Sequence, residues 1–372
     1  MKFRVERDEF ADAVAWTART LPARPAVPVL AGLLLDVSGG QLTLSGFDYE
    51  VSAEATLDCQ AGEGGRSLVS GRLLAEITRS LPAAPVEVST DGSRAVLTCG
   101  SARFTLPTLP VEDYPTLPAM PDASGRIASD AFAAAVAQVF VAAGRDDTLP
   151  VLTGIRVEVE GDRIVLAATD RYRVAMRELR WRPEQADVST VALIPARTLS
   201  EAAKTLATTG AEVAVALGVG SQGEGMAGFS GGSRRTTTRL LEGEFPKYRS
   251  LFPAEFAASA TVTTSTLIEA VKRVSLVAQR NTPVRLTFEG DSLLLEVGTG
   301  DDAQASEAIE ATFDGDPMTI AFNPTYLLDG LGALDSDIAH LRFNGSVKPA
   351  VVTGKDTEAD YRYVIMPVRL SG

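Results

Sequence analysis

The 372-residue sequence has little of the chemistry that enzymes and metal sites depend on: one histidine and two cysteines. With His340 alone, histidine-based metal cages and proton relays are excluded. Cys59 and Cys99 cannot build a disulfide framework and lack metal-ligand spacing. Two half-buried thiols are the simplest expectation, in a cytoplasmic chain. No run of about 18 apolar residues occurs, so no spanning helix is expected. The start, MKFRVERDEF, lacks the apolar middle of a signal peptide. Positive charge is short as well: 35 Lys and Arg stand against 48 Asp and Glu, a net charge of -13. Such a sum argues against a generally basic surface for nucleic acid. It still permits an acidic exterior with basic residues gathered on one lined surface.

Catalytic motifs are equally scarce. Gly228, Ser230 and Gly232 fit G-x-S-x-G, with His340 downstream. A nucleophile elbow passes from strand into helix, whereas RRTTTRLL follows here and reads as strand. The surrounding GVGSQGEGMAGFSGG reads as a hairpin loop, and no Gly-Lys-Ser/Thr makes it a phosphate loop. Carboxylates are scattered. Asp170, in a Thr-Asp-Arg corner, is expected to bond backbone groups in a turn. No metal and no cofactor are expected.

What the sequence does hold is repetition. Pro28 to Leu57, PVLAGLLLDVSGGQLTLSGFDYEVSAEATL, matches Pro150 to Leu179, PVLTGIRVEVEGDRIVLAATDRYRVAMREL, at a constant offset of 122 residues, so that Asp48 answers Asp170. A repeat of this length governs the fold. Around the first copy the order is a helix over Val5 to Leu21, a hairpin turning at Gly39-Gly40, a helix over Gly71 to Leu81, and strands turning at Asp91-Gly92. The order restarts with a helix over Ser129 to Ala143, Ser129 serving as N-cap, and a second helix over Pro195 to Leu206. A diverged third round holds TVTTSTLIEAVKRVSLVAQR as helix, PVRLTFEGDSLLLEVGTGD as hairpin, FNPTYLLDGLGAL as helix, and the closing YRYVIMPVRL. The predicted class is α+β. Three tandem units of two helices on antiparallel strands are expected at 1–122, 123–253 and 254–372, with proline-rich connectors between them. Strands of one unit can pair with those of the next, and head-to-tail repeats close into a ring when two chains meet by equivalent contacts.

Two sets of residues could bind partners. Arg72 and Arg79, Arg197 and Lys204, Lys272 and Arg273 fall on helices of the three rounds, while Arg24, Arg145 and Arg280 follow the first helix of each. Single helix charges are usually a solvated face, but recurrence suggests a shared surface that meets phosphates without reading bases. The other set is the apolar end, Tyr363 to Leu370, which chemistry alone allows as core strand or as groove wall, methionine suiting a site with several partners.

MKFRVER, RPAVPVL, SGRLL, LPTLPVEDYPTLP, LPVLTGIRVE, AATDRYRVA, LLEGEFPKYR, AFNPTYLLDGL and YVIMPVRL together resemble the bacterial DNA polymerase III beta subunit family, the sliding clamps, over essentially the whole chain. RPAVPVL, GRDDTLP and GFDYEVSAEA resemble actinobacterial members. The resemblance implies a homodimeric ring of six similar domains with helices lining a hole around duplex DNA. It implies tethering of the replicative polymerase, and no catalysis. It also implies docking of the polymerase, the clamp loader, other polymerases and repair factors through short peptides. Carried over by position, the groove for those peptides would be walled by Leu152, Thr169, Arg171, Tyr172, Arg173, Val174, Pro246, Leu251, Asn323, Tyr326, Val347, Val364, Met366, Pro367, Val368 and Arg369. An apolar anchor would enter between Leu152, Val174, Val347, Val364 and Met366. Tyr172, Ser250 and Pro349 depart from common family residues, and Ser371-Gly372 extend past the usual terminal leucine. For DNA the candidates are Arg24, Arg72, Arg145, Arg197, Lys204 and Arg280, with Arg24 and the Arg145 loop implied by the resemblance. The alternatives are a clamp paralogue kept as an inhibitor-resistance copy, and a hydrolase using Ser230.

Overall fold

The computed structural model describes residues 1–208, 210–218, 225–280, 282–298, 303–355 and 360–369. Leu370 and Ser371-Gly372, and the centre of the GVGSQGEG segment, lie outside them. The chain divides into two compact units. One comprises Met1–Ser129, Pro183–Gln185 and Glu201–Leu240; the other comprises Asp130–Arg182, Ala186–Ser200 and Leu241–Gly372. The central stretch of the sequence thus contributes to both.

Among the described residues six α-helices recur in pairs: α1 (Arg7–Thr17), α2 (Gly71–Ser80), α3 (Ser129–Phe140), α4 (Ala196–Leu206), α5 (Thr264–Val274) and α6 (Pro324–Gly332). A short strand precedes the first helix of each round: Lys2–Val5, Gly125–Ala128 and Ala258–Thr263. These pair with Val86–Asp91, Glu212–Gly218 and Ile338–Phe343 respectively. Val5 therefore belongs to a strand whose alternation buries Phe3 and Val5, and α1 begins later than the expected Val5. Thr261 and Val262 are likewise strand, not helix. Ser129, expected as an N-cap, donates its hydroxyl to the Gly210 carbonyl at 2.6 Å.

In the first unit, Gly39 and Gly40 both take positive φ, 58° and 82°, the geometry a two-residue hairpin turn demands and glycine supplies without strain. The helices cover a core built from Phe3, Phe10, Val14, Leu33, Leu42, Leu74 and Leu97, all buried. α1 and α2 bury Phe10, Val14, Leu74 and Ile77 on their inner faces. In the second unit, α6 lies so close to the Tyr361–Ile365 strand that a Cβ on Gly330 would stand 2.3 Å from the Tyr363 ring; only glycine fits.

Two pairings join successive rounds, as the repeat led us to expect. Arg234–Arg239 pairs antiparallel with Val51–Asp58, Thr236 opposite Ala53. Tyr361–Ile365 pairs antiparallel with Arg173–Arg180, Val364 opposite Val174. In both cases the closing strand of one round meets the strand that follows the polar corner of the round before.

Candidate functional site

The corner itself is a hydrogen-bonded turn, and it is built twice. Asp170 Oδ1 accepts the backbone N–H groups of Tyr172 (3.1 Å) and Arg173 (3.2 Å). Asp48 Oδ1 accepts those of Glu50 (2.9 Å) and Val51 (2.7 Å). Between them Arg171 and Tyr49 adopt φ of 78° and 76°, the two non-glycine residues with positive φ among the described residues. An aspartate bonding its own backbone two residues on stabilises such a left-handed position. Asp170 is a structural residue, as the turn reading held.

The second copy carries more. Arg173 is 4% exposed. Its Nε donates to Asp170 Oδ2 at 3.0 Å and its Nη1 to Asp329 Oδ2 at 2.5 Å. The guanidinium lies over the Tyr326 ring at 4.3 Å, and Tyr172 stacks on the same ring with centroids 6.0 Å apart. Burial alone would lower the Arg173 pKa, but Tyr363 and the Asp329 carboxylate outweigh it and raise it. The Tyr363 hydroxyl donates to the Tyr326 carbonyl at 2.7 Å, and burial pushes its own pKa up. Asn323, expected on a groove wall, is the N-cap of α6: its side chain accepts from Thr325 (2.9 Å) and Tyr326 (3.3 Å), with Pro324 at the first helical position. That cap sets where the Tyr326 ring stands.

A cavity of about 540 Å³ opens beside the aromatic stack. It brings together Leu152, Arg171, Tyr172, Arg173 and Tyr326 of the expected groove and adds Leu149, Asp329 and Arg145. Next to it runs the chain end: Met366 N–H donates to the Tyr172 carbonyl (2.9 Å) and Val368 N–H to the Ala321 carbonyl (2.8 Å). Met366 and Pro367 are half-buried, whereas Val368, Arg369 and Pro246 are exposed and Val347 is 73% exposed. Val174 and Val364 differ from the expectation. They are 1% and 0% exposed and pack with Val165, Met176, Phe245, Tyr248 and Val351, with Leu251 against them. They floor the region rather than wall it. Thr169 is also buried, its hydroxyl donated to the Arg173 carbonyl at 2.7 Å.

Among the basic candidates, Arg24, Arg72, Arg145, Arg197, Lys204 and Arg280 are all exposed. Arg72 Nη2 donates to the Pro22 carbonyl at 3.3 Å. Arg145 and Arg197 line one cavity of about 490 Å³ with Gly144, Pro195 and Thr198. The expected recurrence holds only in part. Lys272 and Arg273 sit on α5, the first helix of its round, whereas Arg72, Arg197 and Lys204 sit on second helices. Both are engaged locally, Lys272 with Glu269 (2.9 Å) and Arg273 with Glu307 (2.6 Å).

The enzymatic candidates do not assemble. Ser230 lies inside the strand Met226–Gly231, opposite Ala214 and Arg235, and not in the expected loop. A pleated strand cannot present the exposed elbow that a nucleophile needs. His340 is a strand residue whose Nδ1 is 3.1 Å from Thr261 Oγ1; burial and then the Arg342 charge lower its pKa. Cys59 is half-buried, but Cys99 is fully buried and bonds the Pro82 and Ala84 carbonyls at 3.3 and 3.1 Å. Among the described residues no three His, Cys, Asp or Glu side chains could hold a metal ion.

Three family models match in tandem, described as the N-terminal, central and C-terminal domains of the DNA polymerase III beta subunit, over residues 1–118, 126–247 and 249–369. The chain is 61% identical to the beta sliding clamp of Streptomyces coelicolor, with 100% of each chain covered. It is 46% identical to the beta sliding clamp homolog GriR of Streptomyces muensis, with 99% of each covered. The crystal structure of the DNA polymerase sliding clamp from Bacillus subtilis superposes with a TM-score of 0.93 at 25% identity, covering 100% of both chains.

Proposed function

The chain belongs to the DNA polymerase III beta subunit family, the sliding clamps, and from that premise we propose that two copies close head to tail into a six-domain ring around duplex DNA. It is a non-catalytic processivity factor of DNA replication. The domain boundaries we infer are 1–122, 123–253 and 254–372.

One observation carries the ring. Closing strands pair with corner strands twice, Arg234–Arg239 with Val51–Asp58 and Tyr361–Ile365 with Arg173–Arg180. One strand of each kind remains. The closing strand of the first round, Ala102–Leu109, meets Gly65–Ser70 only at Thr108 and Leu109, so residues 102–107 are paired on one side alone among the described residues. The corner strand of the third round, Ala305–Glu310, is an edge of its four-stranded sheet. A second copy supplies the missing partner of each. Head-to-tail contacts of this kind close when the rotation allows, and pairing removes an aggregation-prone edge.

The exposed arginines and Lys204 would face the DNA, meeting phosphates without reading sequence and leaving the ring free to slide. Retention is topological, so weak contacts suffice. The replicative polymerase, and the clamp loader, other polymerases and repair factors, would dock by short peptides on the Leu152–Tyr172–Met366 surface. A tether raises the polymerase's effective concentration at the primer end without new contacts there. The setting is the cytoplasm, with neither cofactor nor metal. The higher identity to the Streptomyces coelicolor clamp than to the GriR homolog favours the main replicative clamp over a resistance paralogue.

Light scattering tests the ring: the expected mass is that of a dimer, and a monomer would overturn it. Retention on nicked circular DNA after loading, with loss upon linearisation, tests the encirclement.

A further inference from the structure

Three strands of the second unit align an unusual set of side chains. His340, Thr353 and Arg362 are directly opposite one another across the Ile338–Phe343, Ala350–Thr353 and Tyr361–Ile365 strands. Opposite residues share a face, and Arg342, two residues from His340, is on that face too. Over it the segment carrying Phe252, Pro253 and Phe256 closes a cavity of about 170 Å³, into which Arg342, Thr353 and Arg362 contribute.

Two buried polar atoms there are unsatisfied. Thr353 is 1% exposed and its Oγ1 has no hydrogen-bond partner. Arg342 Nη2 is buried and equally unpartnered. Other arginines of the unit are matched to carboxylates, as in Arg156–Glu158 and Arg163–Glu178. Among the described residues Arg342 and Arg362 form no such pair. Burial, and then the charge of Arg362, lower the Arg342 pKa. The guanidinium is held in place by the Phe256 ring, 5.5 Å from its centroid. Two like charges beside a buried orphan hydroxyl are costly unless something negative joins them.

We propose that this cavity is a binding site for a small phosphate-like oxyanion, held by the guanidinium groups of Arg342 and Arg362 and the Thr353 hydroxyl. Guanidinium forks match such oxygens. The volume is below the several hundred Å³ of sites for drug-sized ligands, which limits the ligand to a small ion. Arg342, Thr353 and Arg362 are neither among the groove residues nor among those proposed for DNA.

The test uses the full-length protein and orthophosphate, in chloride buffer of matched ionic strength, read by thermal shift and by phosphorus NMR line width. Saturable stabilisation is expected. In Arg342→Gln and in Arg362→Gln the half-saturating concentration should rise about tenfold, as loss of one charge-assisted hydrogen bond implies. Arg180→Gln, at an exposed arginine already paired with Asp162, should leave it unchanged. Without phosphate, Arg362→Gln should melt no lower than the parent, since it relieves repulsion; a purely structural arginine would give a drop. Thr353→Val keeps shape and both charges and should also weaken phosphate, so the test stands even if an arginine variant fails to fold. No saturable response in the parent, or the same half-saturation in all these variants, overturns the site.

Discussion

Arg173 and Asp329, 156 residues apart in sequence, meet at 2.5 Å with the arginine almost wholly buried. The pair links the polar corner to α6, while the Nε of the same guanidinium donates to Asp170. Removing one member of a buried pair strands the other's charge, at a cost of about 3–5 kcal/mol. Asp329 retains some exposure, so Arg173→Met is expected near the lower end. Adding Asp329→Leu should restore part of that loss. Urea unfolding of the two single variants and the double would check it; strictly additive losses would mean that the pair does not act as a unit.

The docking surface gives a contrast between neighbouring apolar residues. Met366→Ala combined with Leu152→Ala should weaken a polymerase-derived peptide at least about tenfold, the equivalent of losing one or two buried methylenes, without altering the dimer mass. Val364→Ala should act differently, because Val364 is 0% exposed beneath that surface. It should lower stability by about 2 kcal/mol and change peptide affinity little in the folded fraction. Fluorescence polarisation beside thermal melting separates the two. Unchanged peptide affinity in the Met366/Leu152 variant would dismiss the groove.

What could be read from the sequence was local or repeated. The Asp48 and Asp170 corners were legible because each aspartate bonds backbone two and three residues on. The joining of rounds followed from the repeat itself. The strands Lys2–Val5, Gly125–Ala128 and Ala258–Thr263 were not legible, since each abuts a helix and owes its existence to a partner about 80 residues away. Lys272 and Arg273 lie on the helix expected of them, but that is the first of its round, so they do not answer Arg72 or Arg197 on second helices. Asp329 had no local signal: a single acid in PTYLLDGLG reads as solvated until the fold brings Arg173 to it. Val174 and Val364 show the same limit from the other side, for position along a strand does not say whether a face is open or covered by residues 245–256.

Arg24 is exposed in the bend after α1. If it meets a phosphate, Arg24→Ala should weaken DNA association uniformly across sequences and reduce the slope of log K against log salt by about 0.9. Peptide affinity should be unaffected. Loading yield and its salt dependence provide the measurement, and an unchanged slope would remove Arg24 from the DNA surface.

Glu158 supplies a pH-dependent contribution to stability. Its carboxylate accepts from Arg156 Nε (2.7 Å), the Tyr248 hydroxyl (3.1 Å) and Arg249. Burial raises its pKa, but the hydrogen bonds and charges of the two arginines outweigh burial and hold it below the usual 4.5. A carboxyl depressed on folding stabilises fully where the unfolded chain is also ionised, above about pH 4.5. As the pH falls further the unfolded chain takes up the proton first, and the contribution dwindles until it is lost below the folded value. Glu158→Gln should therefore melt below the parent at pH 7, and the gap should close steadily as the pH drops from 4.5. A gap that stays constant through that range would show that the arginines contribute by packing on Tyr248 and Phe245 and not through the charge of Glu158.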